Sequence, residues 1–81
     1  MDTEIIFWKA IGLEPGCEMI LSFETREARN AVANSLNFRR RMMIREYNLF
    51  EAEYLSIEKE DTPDNTYQIR IVRNLRKEPV K

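Results

Sequence analysis

The sequence predicts an α+β domain of two layers, one long amphipathic helix on a small, mostly antiparallel sheet. Three observations carry that prediction. Residues 25–47 contain no Gly or Pro and repeat apolar side chains at helical spacing. Residues 17–24 alternate apolar and polar. Residues 52–60 and 66–74 alternate again, around the turn-forming run Asp61-Thr62-Pro63-Asp64-Asn65. The order is then βαββ, or ββαββ if an N-terminal strand joins the sheet. The 81 residues make one domain. A chain this short hides only about 60–65% of its unfolded surface, so a partner subunit would help it.

Residues 3–11, TEIIFWKAI, are rich in β-branched and aromatic types and favour an opening strand. The competing form is a short helix capped by Thr3, with Ile5, Trp8 and Ile11 about one turn apart. Pro15 then Gly16 is type II turn chemistry, Pro fixing φ and Gly supplying the positive φ that follows. In the next strand Met19, Leu21 and Phe23 share one face. Glu18, Ser22 and Glu24 share the other, which Ile20 interrupts. Thr25 suits the N-cap of the long helix, with Glu27 in its first turn.

On a helical projection Ala28, Ala31, Val32, Leu36, Met42, Met43 and Tyr47 gather on one half of the cylinder, with Phe38 at its edge. Arg39 falls inside that arc. The helix therefore bends or ends near Phe38, or Arg39 snorkels past the core; at least Arg41 is expected to be helical. The conformation of residues 47–51 is left open. In the hairpin Leu55 and Ile57 face inward with Tyr67, Ile69 and Ile71. Pairing Glu60 with Thr66 sets Ile57 against Ile69 and Leu55 against Ile71. Residues 75–81 form a charged tail. The uncovered sheet face would carry Ile20, Tyr54 and Val72, an apolar patch suited to a homodimer.

Composition speaks against catalysis. There is no histidine, hence no ordinary general base or imidazole ligand. Cys17, the sole cysteine, lacks an activating neighbour and reads as a small, partly buried side chain. Neither glycine begins a phosphate loop, and Asp61, Asp64 and Asn65 lack the spacing of a calcium loop. No catalytic residue, metal or cofactor is assigned. A lone cysteine fits a reducing compartment, the apolar runs are too short to cross a bilayer, and the acidic start is unlike a signal peptide, so a cytoplasmic protein is expected.

The charge distribution says more than its sum of −1. Residues 1–24 carry −4, residues 25–45 carry +5, residues 46–65 carry −6 and residues 66–81 carry +4. Arg26, Arg29, Arg39, Arg40, Arg41 and Arg45 supply the first basic block, and Arg70 and Arg73 lie in the second. Arginine is the type suited to bidentate phosphate contact and base stacking, so these eight are the candidate nucleic-acid-binding residues. The bland alternative is that the blocks neutralise one another, with Glu58 diagonal to Arg70 and Glu53 opposite Arg73. A rival function is a protein-interaction module or inhibitor working through acidic or aromatic surface, with Phe7, Trp8, Ile20, Tyr54 and Val72 as candidate interface residues.

The succession of Trp8-Lys9, Leu13-Glu14-Pro15-Gly16, an alternating strand, Glu27-Ala28-Arg29 opening an Arg-rich helix, and a closing hairpin resembles the small proteins that bacteriophages encode. The resemblance is one of pattern over residues 8–74. It implies a partner that is either nucleic acid or a host protein. The acidic block from Glu46 to Asp64 departs from a plain DNA binder and raises the host-protein alternative, with a small non-enzymatic nucleic-acid-binding protein as the first expectation.

Overall fold

The computed structural model describes residues 2–75. In order it contains α1 (Thr3–Ile11), β1 (Glu18–Phe23), α2 (Arg26–Tyr47), a 3-10 turn (Phe50–Tyr54), β2 (Leu55–Asp61) and β3 (Tyr67–Arg73). The three strands form one antiparallel sheet in the order β1-β3-β2, so β3 is central and β1 and β2 are both edges. The helices cover one face. This is the α+β, two-layer fold, in its βαββ form with a helix in front. The charged tail expected at residues 75–81 lies, beyond Leu75, outside the described residues.

The N-terminal segment is a helix, against the preferred strand. Asp2, not Thr3, caps it: its carboxylate accepts hydrogen bonds from the N–H groups of Glu4 and Ile5 at 2.9 and 3.4 Å. The buried stripe is Ile6, Phe7 and Ala10, while Ile5 and Trp8 face outward. β-branched residues form a helix here because tertiary burial outweighs a propensity difference of only a few tenths of a kcal/mol per residue. Ala10 and Ala33 are both buried where α1 meets α2; small side chains let the two backbones approach. Thr3 and Ser35 hydroxyls join the helices at 3.1 Å.

The turn before β1 is as expected. Cys17 N–H donates to the Glu14 carbonyl at 3.0 Å across Pro15 and Gly16, and Gly16 has φ 90°. A side chain there would be strained. Cys17 itself is exposed, not partly buried. Thr25 caps α2 through the Ala28 N–H at 3.1 Å. The helix runs unbroken past Phe38 and Arg41 to Tyr47, where Asn48 takes the left-handed conformation and Leu49 N–H reaches the Met43 carbonyl at 3.0 Å.

The buried face of α2 is Arg29, Ala33 and Leu36, with Val32, Arg40, Met43 and Ile44 half-buried beside it. The expected arc is therefore turned by roughly 70° about the axis, at 100° per residue. Ala28, Ala31 and Tyr47 are exposed, and Phe38 stands on the outward side. The cause is chemical. A projection that treats every arginine as outward cannot centre on a stripe that begins at Arg29 and closes at Arg40.

The hairpin register also differs. Ile57 pairs with Ile71, Leu55 with Arg73, Glu58 with Arg70 and Asp61 with Tyr67, two residues away from the expected pairing. A slide of two leaves every side chain on its face, so the hydrophobic pattern does not distinguish the two registers. The loop does. Thr62 N–H donates to the Thr66 carbonyl at 3.0 Å, the Thr62 and Thr66 hydroxyls and the Asp64 carboxylate interlock, and Asn65 takes φ 63°. Strand β2 starts at Leu55, later than expected, because residues 50–54 make the 3-10 turn that buries Ala52.

Phe7, Leu36, Ile69 and Ile71 form the centre of the core. Met19, Leu21, Phe23, Met43 and Ile57 pack around them. Burying side chains of this size stabilises by about 1.5–3 kcal/mol each.

Candidate functional site

The eight candidate arginines divide into engaged and free. Arg29 is 5% exposed. Its guanidinium donates to the Asp61 carboxylate at 2.7 Å, the Glu60 carbonyl at 2.9 Å and Asn30 Oδ1 at 2.8 Å. Arg26 reaches the same Asp61 at 3.8 Å, and both guanidiniums lie over the Tyr67 ring, 5.5 and 5.6 Å from its centroid. Arg73 points to the helix side of the sheet, one alternation beyond Ile71, and is buried. It donates to the Glu51 carbonyl at 2.6 Å and pairs with the Glu51 carboxylate, over Tyr54. Arg70 stands at the centre of the open sheet face between Glu60 at 2.7 Å and Glu18 at 3.5 Å.

Arg40 meets no carboxylate among the described residues. It reaches the β2 edge and donates to the carbonyls of Leu55 and Glu53 at 3.1 and 3.3 Å. Among the described residues Arg45 pairs only with its exposed neighbour Glu46, at 3.1 Å. Arg39 and Arg41 form no ion pair among the described residues. Arg39 is half-buried, and its Nε is buried with no hydrogen-bond partner among the described residues. Arg41 is exposed on the outward side of α2.

The structure thus brings Arg26, Arg29 and Tyr67 together at one end of the hairpin, and Arg73, Tyr54 and Glu51 at the other. It does not assemble the eight into one stripe. The counter-ions differ from those anticipated: Glu60 and Glu18 hold Arg70 instead of Glu58, and Glu51 holds Arg73 instead of Glu53. The two-residue difference in register accounts for the first. The 3-10 turn, which carries Glu51 under the end of β3, accounts for the second. Sequence reading missed Arg29 as a core-facing residue. The spacing 29-33-36-40, an i, i+4, i+7, i+11 stripe with arginine at both ends, was the signal that could have found it.

The candidate interface residues also divide. Phe7 is 1% exposed and serves as core, offering no surface. Trp8 is 44% exposed, resting edge-on against Phe7 at 5.3 Å, with Ile5 beside it on the outward face of α1. Asp2, Glu4 and Lys9 line the same shallow depression. Ile20 is exposed on the open sheet face, Val72 is half-buried there, and Tyr54 lies in the 3-10 turn. Tyr54, Val72 and Arg73 border a second groove with Gly16 and Leu75.

Among titrating groups, Asp64 is held below the ordinary carboxylate range by the hydroxyls of Thr62 and then Thr66. It is a loop device on the surface. No group of three or more His, Cys, Asp or Glu side chains converges for a metal ion among the described residues, and no described helix is long and apolar enough to cross a membrane. What fold and side chains define is a small α+β domain with arginines fastening helix to sheet. No family model matches the chain, and neither the curated proteins nor the solved structures contain a match.

Proposed function

We propose that this chain is a non-enzymatic protein-interaction module whose contact surface centres on Trp8 and Ile5, ringed by Asp2 and Glu4. The observation that carries this reading is the engagement of Arg29, Arg70 and Arg73 by the chain's own carboxylates. A polyanion would have to displace those partners, two of them at largely buried guanidiniums. An exposed tryptophan backed by a core phenylalanine is instead a rigid apolar anchor with a polar rim, the arrangement found at binding hot spots. The rim of Asp2, Glu4 and Lys9, acidic on balance, suits a partner with basic residues around an apolar pocket, in line with the host-protein alternative that the resemblance to phage-encoded proteins sets beside nucleic acid.

A second reading keeps nucleic acid on a smaller footprint. Phe38, 59% exposed, lies between Asn34 and Arg41 on the outward side of α2, with Arg45 one turn further. An aromatic ring beside exposed arginines can stack a base while they meet phosphates. Matched baits decide between the two. Wild type and Arg41→Glu are expected to retain the same protein partner, Trp8→Ala to lose it, and none to bind mixed single- and double-stranded DNA at moderate salt. Steep salt-dependent DNA binding that disappears in Arg41→Glu would overturn the first reading in favour of the second.

A further inference from the structure

The two edges of the sheet are built differently, and the difference points to what covers one of them. Asn74 N–H donates to the Tyr54 carbonyl at 2.7 Å, which sets the phase of the β2–β3 ladder. The odd residues Leu55, Ile57, Lys59 and Asp61 therefore turn their peptide groups outward. That edge is guarded. The Leu55 carbonyl accepts from Arg40, and Lys59 and Asp61 place charges on the helix side of the strand. Inward-facing charge on an edge strand is a recurrent defence against pairing with another chain.

On the other edge, Arg73 N–H donates to the Cys17 carbonyl at 2.9 Å. By the same alternation the N–H and C=O groups of Glu18, Ile20 and Ser22 turn outward. None of them has a hydrogen-bond partner among the described residues. The strand has no Pro, no Lys and no charge on its helix side, which carries Met19, Leu21 and Phe23, each only half-buried. Ile20 on the opposite face is 48% exposed. An open six-residue edge with apolar side chains on both faces is a strand lacking its neighbour.

We infer that β1 pairs antiparallel with β1 of a second copy, about a two-fold axis at Ile20, to give a continuous six-stranded sheet with both helix layers on one face. Parity selects the register. The outward peptide groups belong to even residues, so even must face even; an odd offset would put the two helix layers on opposite faces. With Ile20 opposite Ile20, Glu18 faces Ser22 and Met19 faces Leu21. Both apolar faces are thereby extended across the axis. The next register toward the C-terminal end would set Glu18 opposite Glu24, like charge against like. Moving the other way pairs only three residues of the strand, 18–20, by the 3.8 Å step of the chain. Self-association of this kind requires neither the Trp8 surface nor the outward side of α2, so it goes beyond the proposed function and stands or falls separately.

The test is the mass of the purified full chain, with no partner present, followed by sedimentation equilibrium against concentration. A dimer is expected. Ser22→Glu sets two carboxylate pairs opposite each other across the axis, whereas Ser22→Lys sets two opposite-charge pairs there. Ser22 is exposed, and circular dichroism checks that both variants fold. The glutamate variant should dissociate at a concentration roughly tenfold or more above that of the lysine variant, because like charges directly opposite repel and opposite charges attract. As a second arm, Ile20→Cys in a Cys17→Ser chain should oxidise to an intermolecular disulfide. A monomer at every concentration overturns the proposal and leaves the edge to a strand of different sequence. A dimer that responds equally to both Ser22 variants and forms no Ile20→Cys crosslink overturns it as well.

Discussion

Strand β2 is tied to α2 by arginine hydrogen bonds, whereas strand β1 meets the helix side through apolar packing. At the β2 edge two helix arginines cross to the sheet: Arg29 to Asp61 and the Glu60 carbonyl, Arg40 to the carbonyls of Leu55 and Glu53. At the β1 edge no helix side chain makes a comparable bond among the described residues, and its apolar positions are half-exposed. The lesson concerns the arginines. A cluster that looks in sequence like a polyanion site includes, in space, two side chains that close one side of a small sheet. Their alkyl stems add buried area, and the forked donors of Arg40 satisfy the Leu55 carbonyl, which the edge would otherwise leave to solvent.

The comparison is broken most severely at Arg29. Arg29→Ala should lower stability by about 2–3 kcal/mol in urea or thermal melts, below the range for fully buried pairs because Asp61 is itself 55% exposed. Arg40→Ala should cost less, about 1 kcal/mol, since it leaves two carbonyls and no charge unpaired. If both variants melt like wild type, the arginines do not fasten the edge. Lys59→Ile then sharpens the contrast. It should leave stability within about 0.5 kcal/mol of wild type, yet increase concentration-dependent association by giving β2 the kind of edge that β1 has. Unchanged sedimentation would show that Lys59 does not act as a guard.

The smallest effect is in the loop joining β2 to β3. The carboxyl of Asp64 titrates below its unfolded value because threonine hydroxyls favour the charged form. Its contribution is therefore complete above the ordinary aspartate range and is lost as pH falls through the lowered folded value. Acid titration followed by proton resonances of the Thr62–Thr66 loop should show the network loosening only below pH about 4. In Asp64→Asn that step should vanish. A loop that loosens at the same pH in both proteins would place the acid-sensitive group elsewhere.

How much was legible in the residues can be judged element by element. The turn at Pro15-Gly16, the alternation of residues 19–23 and the Thr25 cap were readable because each depends on neighbours within a few positions. For residues 3–11 the sequence offered a strand or a helix with the stripe Ile5, Trp8 and Ile11, whereas the stripe that is buried is Ile6, Phe7 and Ala10. Only the presence of Ala33 and Leu36 on the next helix selects it. At the hairpin, side-chain parity was readable and register was not, because two-residue slides preserve parity. For the candidate site, arginine counts and block charges located the cations but not their counter-ions, which for Arg26, Arg29, Arg70 and Arg73 arrive from residues 10 to 52 positions away.

Sequence alone determined the α+β class, a long helix reaching at least Arg41 and the inward faces of all three strands, since periodicity and turn chemistry are local properties of the chain. Tertiary structure decided the rotation of α2, the helical form of α1, the pairing of the hairpin and the role of each guanidinium. Those depend on which distant groups a side chain meets, and an arginine is solvated or structural only according to whether a carboxylate or an open carbonyl waits at the end of its stem.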